Sequence, residues 1–460
     1  MKLKYLSPLP VAVFLISLLF STIIIQTQTG ILTETRKSAL VRNLSQARFE
    51  KGSHLSFFVL DEETEDAFST AEVLYPLKVL DELDTVDVQK GLDYIVSRQS
   101  LTVDNSTLWG WPGPFYNWTY LTDLYVPFII MRSLKVFSSQ TQLNKTALIQ
   151  VVLARYNETD GAFHEPLIKV NTDGEEKEYA LCAFPLDFHS TSDVAYANSN
   201  MISTFLGVSV LANLQALDAI NSTKTINWIL SSKGENGAFK PFPESEPEHL
   251  PGWSSLQTNP FYVDRFGTGI AYTYAAIGAL KALGVNVQSV VEVDKVRNYV
   301  LSSQQLYPGD TIRFLAHPDD NHSPDFALTY YAVMTMYYLG IIEEEGNVTS
   351  KVVAYLLQWL QDPSLHFNDS WPVPTRDDTW YGLFVDFPPL STTYFSIAIL
   401  NATNRLNVLD QPTPMATKTW YNTVLVALGF SMLSIIGSVI FMTVHNRRTQ
   451  QPRPTNCSAI

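Results

Sequence analysis

The chain has 460 residues and a mass of 51.7 kDa, with 31 Lys and Arg against 45 Asp and Glu, a net charge of −14. That balance, with a pI near 5.0, excludes a protein that tracks nucleic-acid phosphates. A 46% hydrophobic content excludes a disordered chain, and 2 Cys exclude a disulfide framework or a Cys-rich metal site.

In chain order the first element is apolar. Lys2 and Lys4 precede Val11–Ile25 (VAVFLISLLFSTIII), and no charged residue falls between Lys4 and Glu34. A basic start before a short apolar run reads as a signal peptide or a signal anchor over residues 1–29. The best small-residue cleavage site is Thr27-Gln28-Thr29.

The long middle section repeats one plan. SALVRNLSQARFE (38–50) comes first, an amphipathic helix with no inner partner before it. Five helical pairs follow over 71–99, 121–156, 201–232, 270–305 and 326–360. The first helix of each pair is apolar almost all round, which marks a buried helix. The second is amphipathic, which marks an outer one. In the fourth pair Ile270, Tyr274, Ile277 and Leu280 keep helical spacing, as do Val293, Val296 and Val300. Gly284 and Gly340 stand where C-terminal cap glycines belong. Two pairs end in Gly-Ala-Phe turns, Asp160-Gly161-Ala162-Phe163 and Asn236-Gly237-Ala238-Phe239. STTYFSIAILNATNRL (391–406) is an inner helix with no outer helix after it. If it pairs with 38–50, six hairpins close into an all-α (α/α)6 toroid over residues 30–410. A closed ring leaves no repeat with an uncovered apolar face, whereas an open solenoid would.

The last element follows a linker, 411–418. No charge lies between Lys418 and His445, and 419–445 is long and apolar enough to span a bilayer as a helix. Trp420 and Tyr421 stand at one edge, and Arg447, Arg448 and Arg453 follow in the tail, 446–460. This charge order places the tail in the cytoplasm and the ring outside, or in a secretory lumen. Eleven of the 24 asparagines lie in Asn-x-Ser/Thr sequons. Ten precede the span and are expected glycosylation sites: Asn43, Asn105, Asn117, Asn144, Asn157, Asn221, Asn321, Asn347, Asn368 and Asn401. The eleventh, Asn456, lies in the tail. Cys182 and Cys457 fall on opposite sides of the expected membrane and cannot pair within one chain. Cys457-Ser458-Ala459-Ile460 fits a prenylation box only formally.

The order of Leu230-Ser231-Ser232, Asn236-Gly237-Ala238-Phe239, a long loop and Thr273-Tyr274-Ala275-Ala276-Ile277-Gly278-Ala279-Leu280 resembles the repeats of prenyltransferase β-subunits and squalene and terpene cyclases. The resemblance covers about residues 50–405 and implies the toroid fold. It also implies catalytic motifs that this sequence does not keep. The family's zinc site uses Asp-x-Cys and a distant His, a ligand set that suits zinc. Asp264-Arg265-Phe266 has Phe at the Cys position, and Leu328 stands at the His position in Asp325-Phe326-Ala327-Leu328. The cyclase Asp-x-Asp-Asp run and the Gly-Cys-Gly-Glu-Gln thioester of related toroids are also absent. No cofactor is therefore expected, zinc included.

In such a ring the loops before the inner helices gather at one mouth, the default binding site. The ligand-binding candidates there are His189, Asp193, Arg265, Trp380 and Tyr381, and the candidate acids are Asp264, Asp325 and Asp378. The expected function is a membrane-anchored, outward-facing ring that binds a protein, glycan or lipid at its mouth. The alternatives are a glycan-directed enzyme using paired carboxylates and a divergent isoprenoid transferase or cyclase. Partners are the membrane and an outward-facing ligand, with no nucleic acid.

Overall fold

A computed structural model describes residues 35–46, 48–51, 54–58, 65–103, 106–109, 124–137, 143–164, 167–172, 175–180, 199–243, 269–315, 318, 326–360 and 389–411. Twelve α-helices longer than one turn can be placed among them. They are α1 (Arg36–Gln46), α2 (Ala67–Val79), α3 (Val88–Ser97), α4 (Tyr125–Val136), α5 (Lys145–Leu153), α6 (Met201–Leu214), α7 (Ser222–Ser231), α8 (Ile270–Ala282), α9 (Val293–Ser302), α10 (Phe326–Leu339), α11 (Gly346–Leu360) and α12 (Pro389–Ala402).

The chain divides into two units. In the larger, residues 40–408, the even-numbered helices from α2 to α12 pack in sequence, and α12 packs back on α2. Closure is therefore made by the inner helices directly. They form a ring because their sequences offer no polar stripe. Met201–Leu211 and Ile270–Leu280 are buried along nearly their whole length. An all-round apolar helix is stable only when neighbours cover every side. The outer helices are half-polar and bury one face, as α7 does with Thr225, Trp228 and Ile229. Asparagine caps start several helices: the Asn144, Asn200 and Asn221 side chains accept from the backbone N–H of Ala147, Ser203 and Lys224 at 3.1, 2.9 and 3.0 Å. Gly284 and Gly340 end α8 and α10 with φ of +77° and +73°, as their sequence positions require.

The smaller unit joins 1–39 to 409–460, of which 35–39 and 409–411 are described. There the Arg36 N–H donates to the Gln411 carbonyl at 3.0 Å, and its guanidinium donates to Gln411 Oε1 at 3.0 Å.

The all-α expectation needs amending. Five small antiparallel sheets occur among the described residues. Three of them follow outer helices directly, at Ser100–Trp109, Tyr156–Phe163 and Gln304–Phe314. The chain must reverse there, and a hairpin pairs the backbone groups that the turn exposes. A fourth pairs Leu167–Thr172 with Glu175–Ala180. The helix expected over 38–50 ends at Gln46, because Arg48–Lys51 pairs with His54–Phe58 instead. The first inner helix begins at Ala67 rather than at 71, since Phe68, Ser69 and Thr70 are already wholly covered by the ring.

A repeated seam joins successive hairpins. The Phe163 N–H donates to the Thr204 hydroxyl at 3.1 Å, Phe239 to Thr273 at 3.1 Å, and Phe314 to Thr329 at 3.3 Å. Each Thr lies on the next inner helix. Gly161 and Gly237 hold φ of +84° and +85°, and each rests on the backbone of the following outer helix, at Lys224 and Lys295. A left-handed residue in contact with backbone leaves room only for glycine.

Among the described residues no helix is long and apolar enough to cross a membrane. The expected segments 1–29 and 419–445 lie outside them.

Candidate functional site

The mouth residues singled out in the sequence, His189, Asp193, Asp264, Arg265, Asp325, Asp378, Trp380 and Tyr381, all lie outside the described residues. So do the sequons at Asn105, Asn117, Asn321 and Asn368. Of the others, Asn43 lies on α1. Asn144, Asn221, Asn347 and Asn401 are exposed and Asn157 is half-buried. Asn144 and Asn221 cap their helices through Oδ1.

The interior of the ring holds a different constellation. Every inner helix contributes an aromatic side chain to one layer across the lumen. Phe128 of α4 meets Phe205 of α6 at 5.1 Å between ring centres, and Phe205 meets Tyr274 of α8 at 5.1 Å. Tyr274 meets Tyr330 of α10 at 5.6 Å, and Tyr330 meets Phe395 of α12 at 4.9 Å. Tyr394 of α12 meets Tyr75 of α2 at 4.7 Å. These separations fall within the range where edge and tilted ring contacts attract. The space left among Phe128, Phe205, Tyr274, Tyr330, Tyr331 and Phe395 is ≈ 10 Å³. That is about the room one water needs.

Arg132 closes the circle. It lies one turn beyond Phe128 on α4, and its guanidinium sits over the rings of Tyr75, Tyr330 and Tyr394 at 5.5, 5.8 and 5.6 Å. It donates a hydrogen bond to the Tyr330 hydroxyl. The Tyr330 and Tyr274 hydroxyls are 3.3 Å apart, and the Tyr338 ring stacks on that of Tyr274 at 6.0 Å between centres. The Tyr330 and Tyr274 hydroxyls and the Arg132 guanidinium thus share a network drawn from three inner helices.

The electrostatics follow from burial. Desolvation opposes the charge on Arg132, but the oxygens of Tyr330, Tyr394 and Tyr75 outweigh it and hold the guanidinium firmly protonated. Burial pushes the Tyr274 hydroxyl well above its ordinary range, and pushes Tyr338 up to about 12. Burial also raises Tyr75, against the opposing pull of Arg132. These three hydroxyls are therefore neutral at physiological pH. Among the described residues no carboxylate pairs with Arg132. Ring faces take the place of a counter-ion, each worth about 1–2 kcal/mol when desolvated.

The sequence carried a signal for this cluster that its mouth-directed reading passed over. Arg132 is a lone central charge in YVPFIIMRSLKV, a segment that otherwise reads as buried. Such a residue is costly inside a ring unless something holds it. Glu72 is a similar case, a wholly buried acid on α2 that makes interactions of its own. Among the described residues no three His, Cys, Asp or Glu side chains group as metal ligands.

A family model accords with the ring. The prenyltransferase alpha-alpha toroid domain matches residues 115–310, 263–360 and 316–425. No curated protein matches the chain. Among solved structures, Candida albicans protein geranylgeranyltransferase-I complexed with GGPP is similar at a TM-score of 0.49 and 12% identity, covering 78% of this chain and 91% of that one. The type II terpene cyclase MstE from Scytonema is similar at 0.47 and 13%, covering 81% and 98%. A protein from Actinoplanes is similar at 0.44 and 12%, covering 80% and 99%.

Proposed function

This chain belongs to the prenyltransferase alpha-alpha toroid domain family, and from that premise we propose that it is a binding member of the family rather than an isoprenoid transferase. In this reading the ring faces the cell exterior or a secretory lumen. It is held by the apolar segment 419–445 and carries glycans at the exposed sequons. It takes a protein, glycan or lipid ligand at the mouth, with His189, Asp193, Arg265, Trp380 and Tyr381 as contacts.

One observation carries this reading. The layer of rings with Arg132 leaves ≈ 10 Å³ among its side chains. A small-molecule site needs about 300–1,000 Å³, so a long apolar chain has no cavity at this level. The zinc positions agree with this, since Phe266 and Leu328 offer neither thiolate nor imidazole. The caps leave the glycans free: an oligosaccharide attaches at Nδ2 of Asn144 or Asn221, whereas helix capping uses Oδ1.

The test uses full-length protein purified in detergent. It is screened against glycan and isoprenoid-lipid arrays, and its metal content is measured on the same sample. Saturable binding that weakens in Trp380→Ala, without turnover of geranylgeranyl diphosphate, is the expected result. Stoichiometric zinc, or transfer of the isoprenoid to a thiol acceptor, overturns the proposal. Glycosidase digestion of the same sample should lower its apparent mass, and no change would remove the outward orientation.

A further inference from the structure

We propose that two sequons share one seam of the ring, and that Asn221 carries the oligosaccharide there while Asn157 stays bare as a structural part of its turn. The inference rests on the outward orientation proposed above and assigns which asparagine that orientation modifies.

The fold brings two distant pieces of sequence together. Asn157-Glu158-Thr159 lies in the hairpin after α5, and Asn221-Ser222-Thr223 opens α7. The Asn221 N–H donates to the Tyr156 hydroxyl at 3.1 Å. The Lys224 ammonium donates to the Glu158 carbonyl at 2.7 Å, and the Thr225 hydroxyl to the Gly161 carbonyl at 2.6 Å. The two sequons therefore lie side by side where one hairpin meets the next.

Their amides are used differently. The Asn221 Oδ1 accepts from the Lys224 N–H at 3.0 Å, which caps α7. That bond leaves Nδ2 on the other branch of an exposed side chain, and no described residue takes it. The Asn157 amide is engaged at both atoms. Its Oδ1 accepts from the Thr159 N–H at 2.8 Å, and its Nδ2 donates to Asp160 Oδ2 at 3.3 Å. The other Asp160 oxygen accepts from the Ala162 N–H at 2.9 Å, and the Gly161 N–H donates to the Asn157 carbonyl at 2.8 Å. Asn157 is half-buried in this turn, and the Lys224 bond holds the middle residue of its sequon.

N-glycosylation joins Nδ2 to the anomeric carbon of a sugar. The donor is an oligosaccharide esterified to a lipid diphosphate. Its anomeric C–O bond breaks, the diphosphate leaves with the electron pair, and Nδ2 gives up one proton. The substituted nitrogen keeps one hydrogen and gains a bulky group. At Asn221 that group stands in solvent, and the cap on Oδ1 is untouched. At Asn157 it must displace the Asp160 bond or the turn around it. Gly161, at a φ of +84° and resting on Lys224, leaves the turn little freedom to move. A chain that takes up a sugar at Asn157 therefore does not close this seam.

The experiment maps glycopeptides of the full-length protein made in a eukaryotic secretory host, beside Thr223→Ala and Thr159→Ala. Each substitution removes one sequon at an exposed threonine and keeps the asparagine. The expected result is a sugar on Asn221, none on Asn157, the loss of one glycan in Thr223→Ala and an unchanged mass in Thr159→Ala. The map of the parent protein decides the matter even if a variant fails to fold. Asn157→Asp puts a second carboxylate in place of the donor to Asp160, so it should lower the melting temperature more than Asn221→Asp, which keeps its cap. A sugar on Asn157 in the folded protein, none on Asn221 while other sequons carry one, or an Asn157→Asp melting temperature equal to the parent's overturns the proposal. Absence of sugar at every sequon would overturn the outward orientation itself, and the proposal with it.

Discussion

The seams between hairpins use three of the six inner helices that build the layer across the lumen, but the two depend on different physics. The seams are directional. Phe239 donates its N–H to the Thr273 hydroxyl, Gly237 holds a left-handed backbone against Lys295, and the same geometry recurs at Phe163, Thr204 and Gly161. The lumen is non-directional. Rings from every inner helix meet at about 5 Å centre to centre, and one guanidinium fills the remaining gap. Directional contacts can be copied from one repeat to the next. A lumen is shared by all repeats at once, so each helix contributes something different. The comparison teaches that the repeat fixes the frame and leaves the centre free to vary.

The seam should break first and hardest at Gly237. A Cβ there would lie 2.5 Å from Lys295 Cβ and 3.1 Å from its carbonyl carbon, at a φ of +85°. Backbone cannot yield as a side-chain tip can, so Gly237→Val should cost more than about 4 kcal/mol and abolish the folded ring. The matched control is Gly284→Ala, where φ is +77° and nothing lies within 4 Å. Only conformational strain applies there, about 1 kcal/mol. Thermal unfolding of both variants checks the pair, and equal melting points would show that the close approach is unimportant.

The lumen should break next. Phe205 touches both Phe128 and Tyr274, and Gly278 lies beneath it with a would-be Cβ 2.5 Å from its ring. Phe205→Ala should cost about 3–5 kcal/mol through lost burial and the cavity left behind. The cavity would also sharpen the contrast, since a widened lumen should take up an apolar probe such as benzene. Uptake by the parent protein at the same concentration would contradict a filled centre. Thr273→Val tests a seam without changing volume. It leaves the buried Phe239 N–H without its acceptor and removes the 2.8 Å bond from the Thr273 hydroxyl to Gly269. The expected loss is about 1–3 kcal/mol. A chemical denaturation midpoint unchanged from the parent would show that another acceptor takes over.

The two regions also differ in how far they could be read from sequence. The hairpins were legible because an apolar helix followed by an amphipathic one has a period that survives alone, as in Ile270–Leu280 and Val293–Val300. The glycine ends at Gly284 and Gly340 were legible because only one residue type serves there. The hairpin strands were not, since Gln304–Tyr307 and Thr311–Phe314 are four residues each, too short for alternation to stand out. The central cluster was half legible. Arg132 announces itself as a charge in an apolar helix, but nothing local says that Tyr75 and Tyr394, 319 residues apart in the chain, will cover it. Ring closure alone brings them together. The mouth residues are the reverse case, conspicuous in sequence and outside the described residues.

The smallest expected effect lies on the outer rim, where a seam is tied by exposed ions. Glu292, at the start of α9, accepts from Lys233 at 2.7 Å and pairs with Lys295 at 2.6 Å. The hydrogen bonds from Lys233 and then Lys295 hold its carboxyl down at about 2, against an ordinary 4.5. A depressed carboxyl pKa stabilises the folded state at pH above the unfolded value, and that stability is lost as pH falls through the folded one. The difference in stability between the parent and Glu292→Gln should therefore be complete at neutral pH, shrink below about 4.5 and vanish near 2. The residue is exposed, so solvent and salt screen the pair, and the gap at pH 7 should itself narrow in 1 M NaCl. Urea unfolding at several pH values reads the whole curve. A gap that stays constant from pH 7 to 2 would mean that the glutamine perturbs packing rather than charge, and the rim would then depend on shape as the lumen does.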